Sequence, residues 1–288
     1  MPGQIQAGGI QLGCRIWGDG PVTVVFIHGN LASKDWIELA ARHFPSDLRV
    51  IGIDWRGCGD SEKPTATADF SNYSMQQHAE DMLAALDALG IARCHLATHS
   101  TGGFIANRMQ LAQPDRFGRI LSLDPVSPFG LPFEEAALEV FRTMQADATL
   151  TRAVMAGVAP TLFDPDSLGL GKTPIYRAPD ADSAALYDRL LAQTQQCADG
   201  IWLGTPFHLS AEHDAGEVAA RMSELTHETL VLWGEWDGII PLSHMQTMVE
   251  RLPACRLVRL PEIGHSMNVE APALYAGYVG AMFSGAVL

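Results

Sequence analysis

The sequence predicts an α/β protein: a mostly parallel central sheet flanked by helices, with a helical segment inserted into it. Three observations predict it. Short runs rich in Val, Ile and Leu recur along the chain, each ended by Gly, Asp or Ser, as in strands buried on both faces. Segments of helical period lie between these runs, so strand and helix alternate. Residues 126–225 break the rhythm, with several helical patterns and no convincing strand.

In chain order, the apolar runs fall at 22–27, 49–55, 94–100, 119–124, 229–234 and 255–260. The clearest helix is expected over 75–89, where Met75, Ala79, Met82, Leu83, Leu86 and Leu89 share one face. Ser74 and Gln77 form a capping box at its start and Gly90 ends it. A second helix is expected over 102–113, stopped by Pro114, and others over 241–252 and 270–283. Pro125, Pro128, Gly130 and Pro132 mark where the chain leaves the sheet. Beyond them, helices are expected near 134–155, 183–196 and 212–225. The chain thus divides into a core of residues 1–125 and 226–288 and a helical cap of residues 126–225.

Composition bounds what such a fold does. With 47% hydrophobic and 18% charged residues in a chain of 288, the sequence is far from the signature of disorder. The 33 acidic residues outweigh the 19 basic ones, for a formal charge of -14, so a phosphate backbone or an anionic membrane would repel the protein. Neither nucleic acid nor membrane is an expected partner. The five cysteines (Cys14, Cys58, Cys94, Cys197, Cys255) are scattered, with no CxxC pair and no His at metal-ligand spacing, and read as free thiols in a reducing compartment. The first ten residues lack the pattern of a signal peptide, and the apolar runs are too short to span a bilayer. A soluble cytoplasmic protein is the expectation.

The run ending at Thr98 passes through His99-Ser100-Thr101-Gly102-Gly103 into a helix, the context of a nucleophile elbow. The turn needs small neighbours; Gly102 and Gly103 satisfy this, while Thr98 is bulky for its place. The plain alternative is a helix start capped by Ser100 or Thr101. A serine hydroxyl is a poor nucleophile until a base takes its proton and a third group orients that base. Two later segments supply candidates: Glu235-Trp236-Asp237-Gly238 after one strand and Gly264-His265-Ser266 after the next. Ser, Asp and His then follow one another in the chain, each just past a strand end. Asp124 also ends a strand and is a second candidate for the acid; the motif match favours Asp237.

With these residues in place, the sequence resembles the α/β-hydrolase fold superfamily over residues 10–283, except in the cap. His28-Gly29-Asn30 is similar to the family's oxyanion loop, Asp54 to Ser61 to its DxRGxGxS turn, and Gly264-His265 with Glu270 and Pro272 to its GHxxxxExP ending. The resemblance implies Ser100 as nucleophile, His265 as general base and then acid, and Asp237 as the orienting carboxylate. It implies an oxyanion hole from the backbone N–H groups of Asn30 and Thr101, and no metal or other cofactor. His28 and His99 are expected to brace the loop and the elbow. Trp36, Phe129, Tyr176, Trp202 and Phe207 are candidates for an apolar substrate pocket.

The expected activity is hydrolysis of a carboxylic ester or lactone of a small-to-medium hydrophobic substrate, through an acyl-enzyme. Other activities of the superfamily stay open. Dehalogenases and epoxide hydrolases use an Asp nucleophile, which Ser100 argues against, although Asn30 resembles the dehalogenase loop. Carbon–carbon bond hydrolases often carry Trp after the catalytic His, where this chain has Ser266. Cofactor-free perhydrolases have a similar Ser-Thr-Gly-Gly elbow. A ligand-binding homologue without catalysis is the remaining alternative.

Overall fold

The computed structural model describes residues 3–177 and 181–286; residues 178–180 of the expected cap lie outside the described residues. Its sheet has eight strands: β1 (Gln4–Ala7), β2 (Ile10–Trp17), β3 (Val22–Ile27), β4 (Leu48–Ile53), β5 (Cys94–His99), β6 (Phe117–Leu123), β7 (Thr229–Gly234) and β8 (Cys255–Leu260). Their order is β1-β2-β4-β3-β5-β6-β7-β8. β2 runs antiparallel to β1 and β4, and the pairs from β4 through β8 are parallel. Each expected run holds a strand: β3, β7 and β8 coincide with theirs, and β4, β5 and β6 have ends moved by up to two residues. The β1–β2 hairpin was not expected from the sequence. Its signal is faint: Gln4, Gln6 and Gln11 alternate with Ile5, Ala7, Ile10 and Leu12 around Gly8-Gly9, the pattern of a half-buried edge.

The helices are α1 (Glu38–Ala41), α2 (Met75–Ala88), α3 (Thr101–Ala112), α4 (Glu135–Ala146), α5 (Ala148–Ala156), α6 (Ala181–Gln195), α7 (Thr205–Ala215), α8 (Glu217–Ala220), α9 (Leu242–Arg251), α10 (Met267–Glu270) and α11 (Pro272–Phe283). α2 starts as its sequence dictates, with Ser74 Oγ accepting from Gln77 N at 3.1 Å. The Gln77 side chain turns forward to Asp81 at 3.2 Å, so the box closes from one side only. α2 and α3 pack together, α3 against β3, β5 and β6, while α11 packs on α1 and β6 and α9 on β7 and β8. β5, buried at every position, lies at the centre of this arrangement.

Three expected helices are broken where local chemistry forbids continuation. The one over 134–155 divides at Asp147, whose carboxylate accepts from Thr149 N and Leu150 N and so caps α5 as a new start. The one over 212–225 begins earlier, at Thr205, and breaks at Gly216, which sits at φ 62°. The one over 270–283 is split at Ala271 because a residue before proline is disfavoured in helical geometry. Between β6 and β7 the described residues contain helices and one isolated bridge, Phe163 to Tyr176, but no strand.

Polar bonds fasten part of this insertion to the core. Gln193 of α6 accepts from Ser33 Oγ (2.7 Å) and donates to Asp35 (2.9 Å), while Thr194 Oγ1 donates to Leu31 O (2.6 Å). Beneath that loop, buried Lys34 bridges Asp54 at 2.8 Å and Asp60 at 2.5 Å. Burial opposes its charge, but the two carboxylates outweigh burial and hold it protonated. The five cysteines are free thiols. Among the described residues no helix is long and apolar enough to cross a membrane.

The start of α3 lies hard against the end of β3. A Cβ built on Gly102 would stand 2.2 Å from the Ile27 carbonyl oxygen and 2.5 Å from that of His28. Gly102→Ala, which in an open helix would gain about 1 kcal/mol, is therefore expected to cost about 1–3 kcal/mol. A thermal midpoint at or above that of the parent would refute the close approach.

Candidate active site

The loops that leave the carboxyl ends of β3, β5, β6, β7 and β8 converge at one end of the sheet. Ser100 follows β5 at φ 53° and ψ −124°, a sparsely populated conformation for a residue with a side chain. Backbone bonds hold it there: Ser100 N donates to Leu123 O (3.0 Å), and Ser100 O accepts from Gly103 N and Val126 N (2.9 Å each). Thr98, bulky for its place, is accommodated because its hydroxyl turns across to β6 and donates to Ser122 Oγ at 3.0 Å.

His265 and Asp237 meet on the loops after β8 and β7, with Nδ1 of the imidazole 2.8 Å from Asp237 Oδ2. A carboxylate accepts only, so Nδ1 carries the proton and Nε2 is left as the basic atom. The other oxygen of Asp237 accepts from Ile239 N (2.7 Å) and Ile240 N (3.2 Å). Burial opposes the ionisation of Asp237, but His265 and these N–H groups outweigh it and hold its carboxyl below the ordinary value. Asp124, after β6, is buried close by and accepts from Gly234 N at 2.9 Å. It is Asp237, not Asp124, that bonds the imidazole.

The sequence pattern drew attention to Glu270 without giving it a task. Its carboxylate accepts from Gly264 N (3.2 Å), Ser266 N (3.0 Å) and, across the insertion, Thr161 N (3.2 Å) and Oγ1 (2.7 Å). The residues on both sides of His265 are thus pinned to one side chain. His99 Nε2 bonds the His265 carbonyl at 2.9 Å, and His28 Nε2 accepts from Trp55 N at 3.1 Å. The Arg56 to Ser61 turn is internally bonded too: Ser61 Oγ donates to Asp54 O at 2.8 Å, and Arg56 forks onto Asp81 at 2.5 and 2.7 Å.

Ser100, His265, Asn30 and Thr101 all line a single cavity of about 570 Å³. The backbone N–H groups of Asn30 and Thr101 donate to no protein acceptor among the described residues, and Thr101 N–H stands at the start of α3. The insertion supplies much of the rest of the wall, including Phe133, Phe141, Met144 and Met155. No Lys, Arg, Asp or Glu is among the lining residues.

Of the five expected pocket aromatics, only Trp36 lines this cavity. Phe129 lies under the Arg251 guanidinium, 5.3 Å from the ring centre. Tyr176 stacks on Phe163 at 4.6 Å and donates to Asp188 at 2.8 Å. Trp202 is completely buried in the π-helical turn Gly200–Gly204, and Phe207 is 47% exposed beside Phe70. Sequence spacing does not say which side of an element looks onto the cavity, and Phe129 and Tyr176 lie outside any helix.

A family model described as alpha/beta hydrolase fold matches residues 22–272. The chain belongs to this alpha/beta hydrolase family. A fluoroacetate dehalogenase of a Burkholderia species is 29% identical over 175 residues, 59% of this chain and 57% of that one. For the first two curated relatives the match spans less than two thirds of their own length, 57% and 62%. A 2-hydroxymuconate semialdehyde hydrolase of a Pseudomonas species is 28% identical across 96% of this chain and 92% of its own. Among solved structures, an esterase from Exiguobacterium antarcticum superposes with a TM-score of 0.76, 19% identity and 98% of both chains covered, a likeness of fold. Hydrolases of several reaction types thus surround this chain.

Three buried imidazoles tie the stability of this protein to pH. Burial pushes His28, His78 and His99 each down to about 3. Unfolded, they titrate near about 6.5, so on acidification the unfolded chain binds these protons first. Folding is unpenalised by them above about pH 6.5 and loses up to about 1.4 kcal/mol per pH unit for each as pH falls toward about 3. Urea unfolding from pH 7 to about 4.5 is expected to show falling stability, less steep than the three rings alone would give because Asp54, Asp124 and Glu270, raised by burial, take up protons in the folded state. A flat profile would mean that the rings and these carboxyls together bind as many protons folded as unfolded.

Proposed function

We propose that this protein is a serine hydrolase that cleaves a carboxylic ester or lactone of a neutral, apolar, small-to-medium substrate through an acyl-enzyme on Ser100. One observation carries the reading: a serine held at a strained strand-to-helix elbow and an Asp237-oriented imidazole open onto the same uncharged cavity. Residues 126–225 act in it as a cap over the substrate.

Ser100 Oγ attacks the carbonyl carbon while its proton passes to Nε2 of His265, and Asp237 stabilises the imidazolium that results. The negative charge that gathers on the carbonyl oxygen is met by the free N–H groups of Asn30 and Thr101, donors of a kind worth about 10²–10³ in rate each. Collapse breaks the carbon–oxygen bond, and the leaving alkoxide takes the proton from His265. In a lactone that alcohol stays attached to the acyl chain. A water molecule, deprotonated by His265, then attacks the acyl carbon and releases Ser100. No step calls on a metal ion, and chelators are expected to leave the rate unchanged.

The lining argues about the substrate as well. A free carboxylate, such as that of the fluoroacetate in the relative's name, would be buried here against no cationic side chain, at a cost of several kcal/mol. The same relative's chemistry also sits poorly with a serine at position 100. Neutral acyl groups fit the wall made by Phe133, Phe141, Met144 and Met155.

A p-nitrophenyl ester series of increasing acyl length, beside simple lactones, tests this reading. Ser100→Ala is expected to lower kcat by about 10⁴–10⁶-fold and Asp237→Asn by about 10³–10⁴-fold. An ester whose acyl chain ends in a free carboxylate is expected to be turned over at least tenfold less efficiently than its neutral counterpart. Equal turnover by Ser100→Ala, or strong inhibition by EDTA, would sink the assignment.

A further inference from the structure

We propose that Asp124 is a neutral carboxylic acid at physiological pH and donates its proton in a hydrogen bond to Asp237, so that a shared-proton pair of carboxyl groups stands behind His265. Asp124 is on this view a positioning residue, acting on the reaction only through Asp237. The kinetic consequence rests on the serine hydrolase reading; the proton itself does not.

The geometry leaves little room for another arrangement. A carboxyl oxygen of Asp124, one of Asp237 and a ring nitrogen of His265 lie within 4.8 Å of one another. Asp124 is completely buried. Its Oδ1 accepts from Gly234 N, but Oδ2 is buried with no donor among the described residues. Both oxygens of Asp237 are by contrast occupied by donors, from His265, Ile239 and Ile240. An orphaned carboxylate oxygen beside a second carboxylate is doubly unfavourable, for lost hydrogen bonding and for repulsion. One proton between the two removes both faults.

The surroundings decide which group keeps that proton. The charged groups acting most strongly on Asp124 are Asp237, from the loop after β7, and Glu270, from α10, both acidic; His265, after β8, is the group nearby that becomes cationic. Burial and then Asp237 push Asp124 well above the ordinary carboxylate range, while Asp237 is held below it, so the proton resides on Asp124. The backbone at Asp124 is bent to φ 42°, left-handed and unusual for a non-glycine residue, and its N–H is fixed to Leu232 O at 2.8 Å. That backbone bond fixes the position from which the Asp124 side chain stands near Asp237.

The arrangement gives Asp237 a donor that fixes its plane without adding charge. Were Asp124 ionised, His265 would face two negative charges and hold its own proton into the range where it must act as a base. The three side chains also form a group able to ligate a divalent cation, and the proposal assigns that space to a proton.

Infrared difference spectra of the wild type and Asp124→Asn at pH 7 test the proton directly. The wild type is expected to show the carbonyl stretch of a neutral carboxylic acid that Asp124→Asn lacks; its absence overturns the proposal whether or not any ester is hydrolysed. Profiles of kcat/KM against pH on a p-nitrophenyl ester supply the second readout. Asp124→Asn keeps a donor toward Asp237 and is expected to hold the acid-limb midpoint, whereas Asp124→Leu is expected to raise it and to lower kcat about tenfold with KM little changed. A midpoint that falls by about one unit or more in Asp124→Asn would mean a lost negative charge and an ionised Asp124. Inhibition by EDTA reversed by added Mg²⁺ or Ca²⁺ would also overturn the proposal.

Discussion

The site depends on a backbone constraint at Ser100. Holding a residue with a side chain at φ 53° costs about 1–3 kcal/mol, and that cost is met by the parallel register of β5 and β6 and by the three backbone bonds that grip the turn. From this constraint the hydroxyl is lifted into the cavity and α3 begins with its first N–H groups facing the same space. Strain of this kind is concentrated here. Of the five described non-glycine residues at positive φ, Leu31, Ser100, Asp124 and Glu262 lie just beyond the carboxyl ends of β3, β5, β6 and β8.

Those bends persist because the loops carrying them are tied to one another and to the insertion. Glu270 holds the peptide on either side of His265 and reaches Thr161, while the Lys34 cluster holds the loop after β3 and presents it to α6. A buried ionic cluster contributes little net stability against an apolar replacement, but removing one partner leaves a buried unpaired charge. It therefore fixes geometry more than it adds stability. The attachment is uneven: α6 is fastened to the core by several polar bonds, whereas α4, with only Met144 buried among its residues, packs on α5 and the turn Gly200–Gly204.

Much of the fold was legible because it is written in local chemistry. Six strands announced themselves as apolar runs, Ser74 marked the start of α2, and Ser100, Asp237 and His265 stood at strand ends in a recognisable order. Illegible features were those set by distant partners. Nothing in the run of residues around Thr98 says that its hydroxyl will find Ser122, which is why a bulky residue fits an elbow that wants a small one. The hairpin β1–β2 escaped notice because half of its residues face water and the alternation is short. The pocket was the hardest part, since Tyr176 and Phe141 look alike along a helix-rich stretch while one stacks on Phe163 and the other faces the cavity. Direction across an element is a tertiary fact.

The electrostatics of the whole follow one rule. The formal charge of -14 is kept away from the cavity, among whose lining residues there is no Lys, Arg, Asp or Glu. The histidines nearest the site, His28 and His99, are held neutral by burial, and Lys34 is matched by Asp54 and Asp60. The carboxylate bonded to His265 is that of Asp237, which lies outside the cavity lining. In the proposed acyl transfer, charge would appear at two places only, the carbonyl oxygen and the imidazole, and each has a partner in position. Under the proposed function, such a site would select its substrate by shape and apolar contact, because any further charge brought in by the substrate would find nothing to answer it.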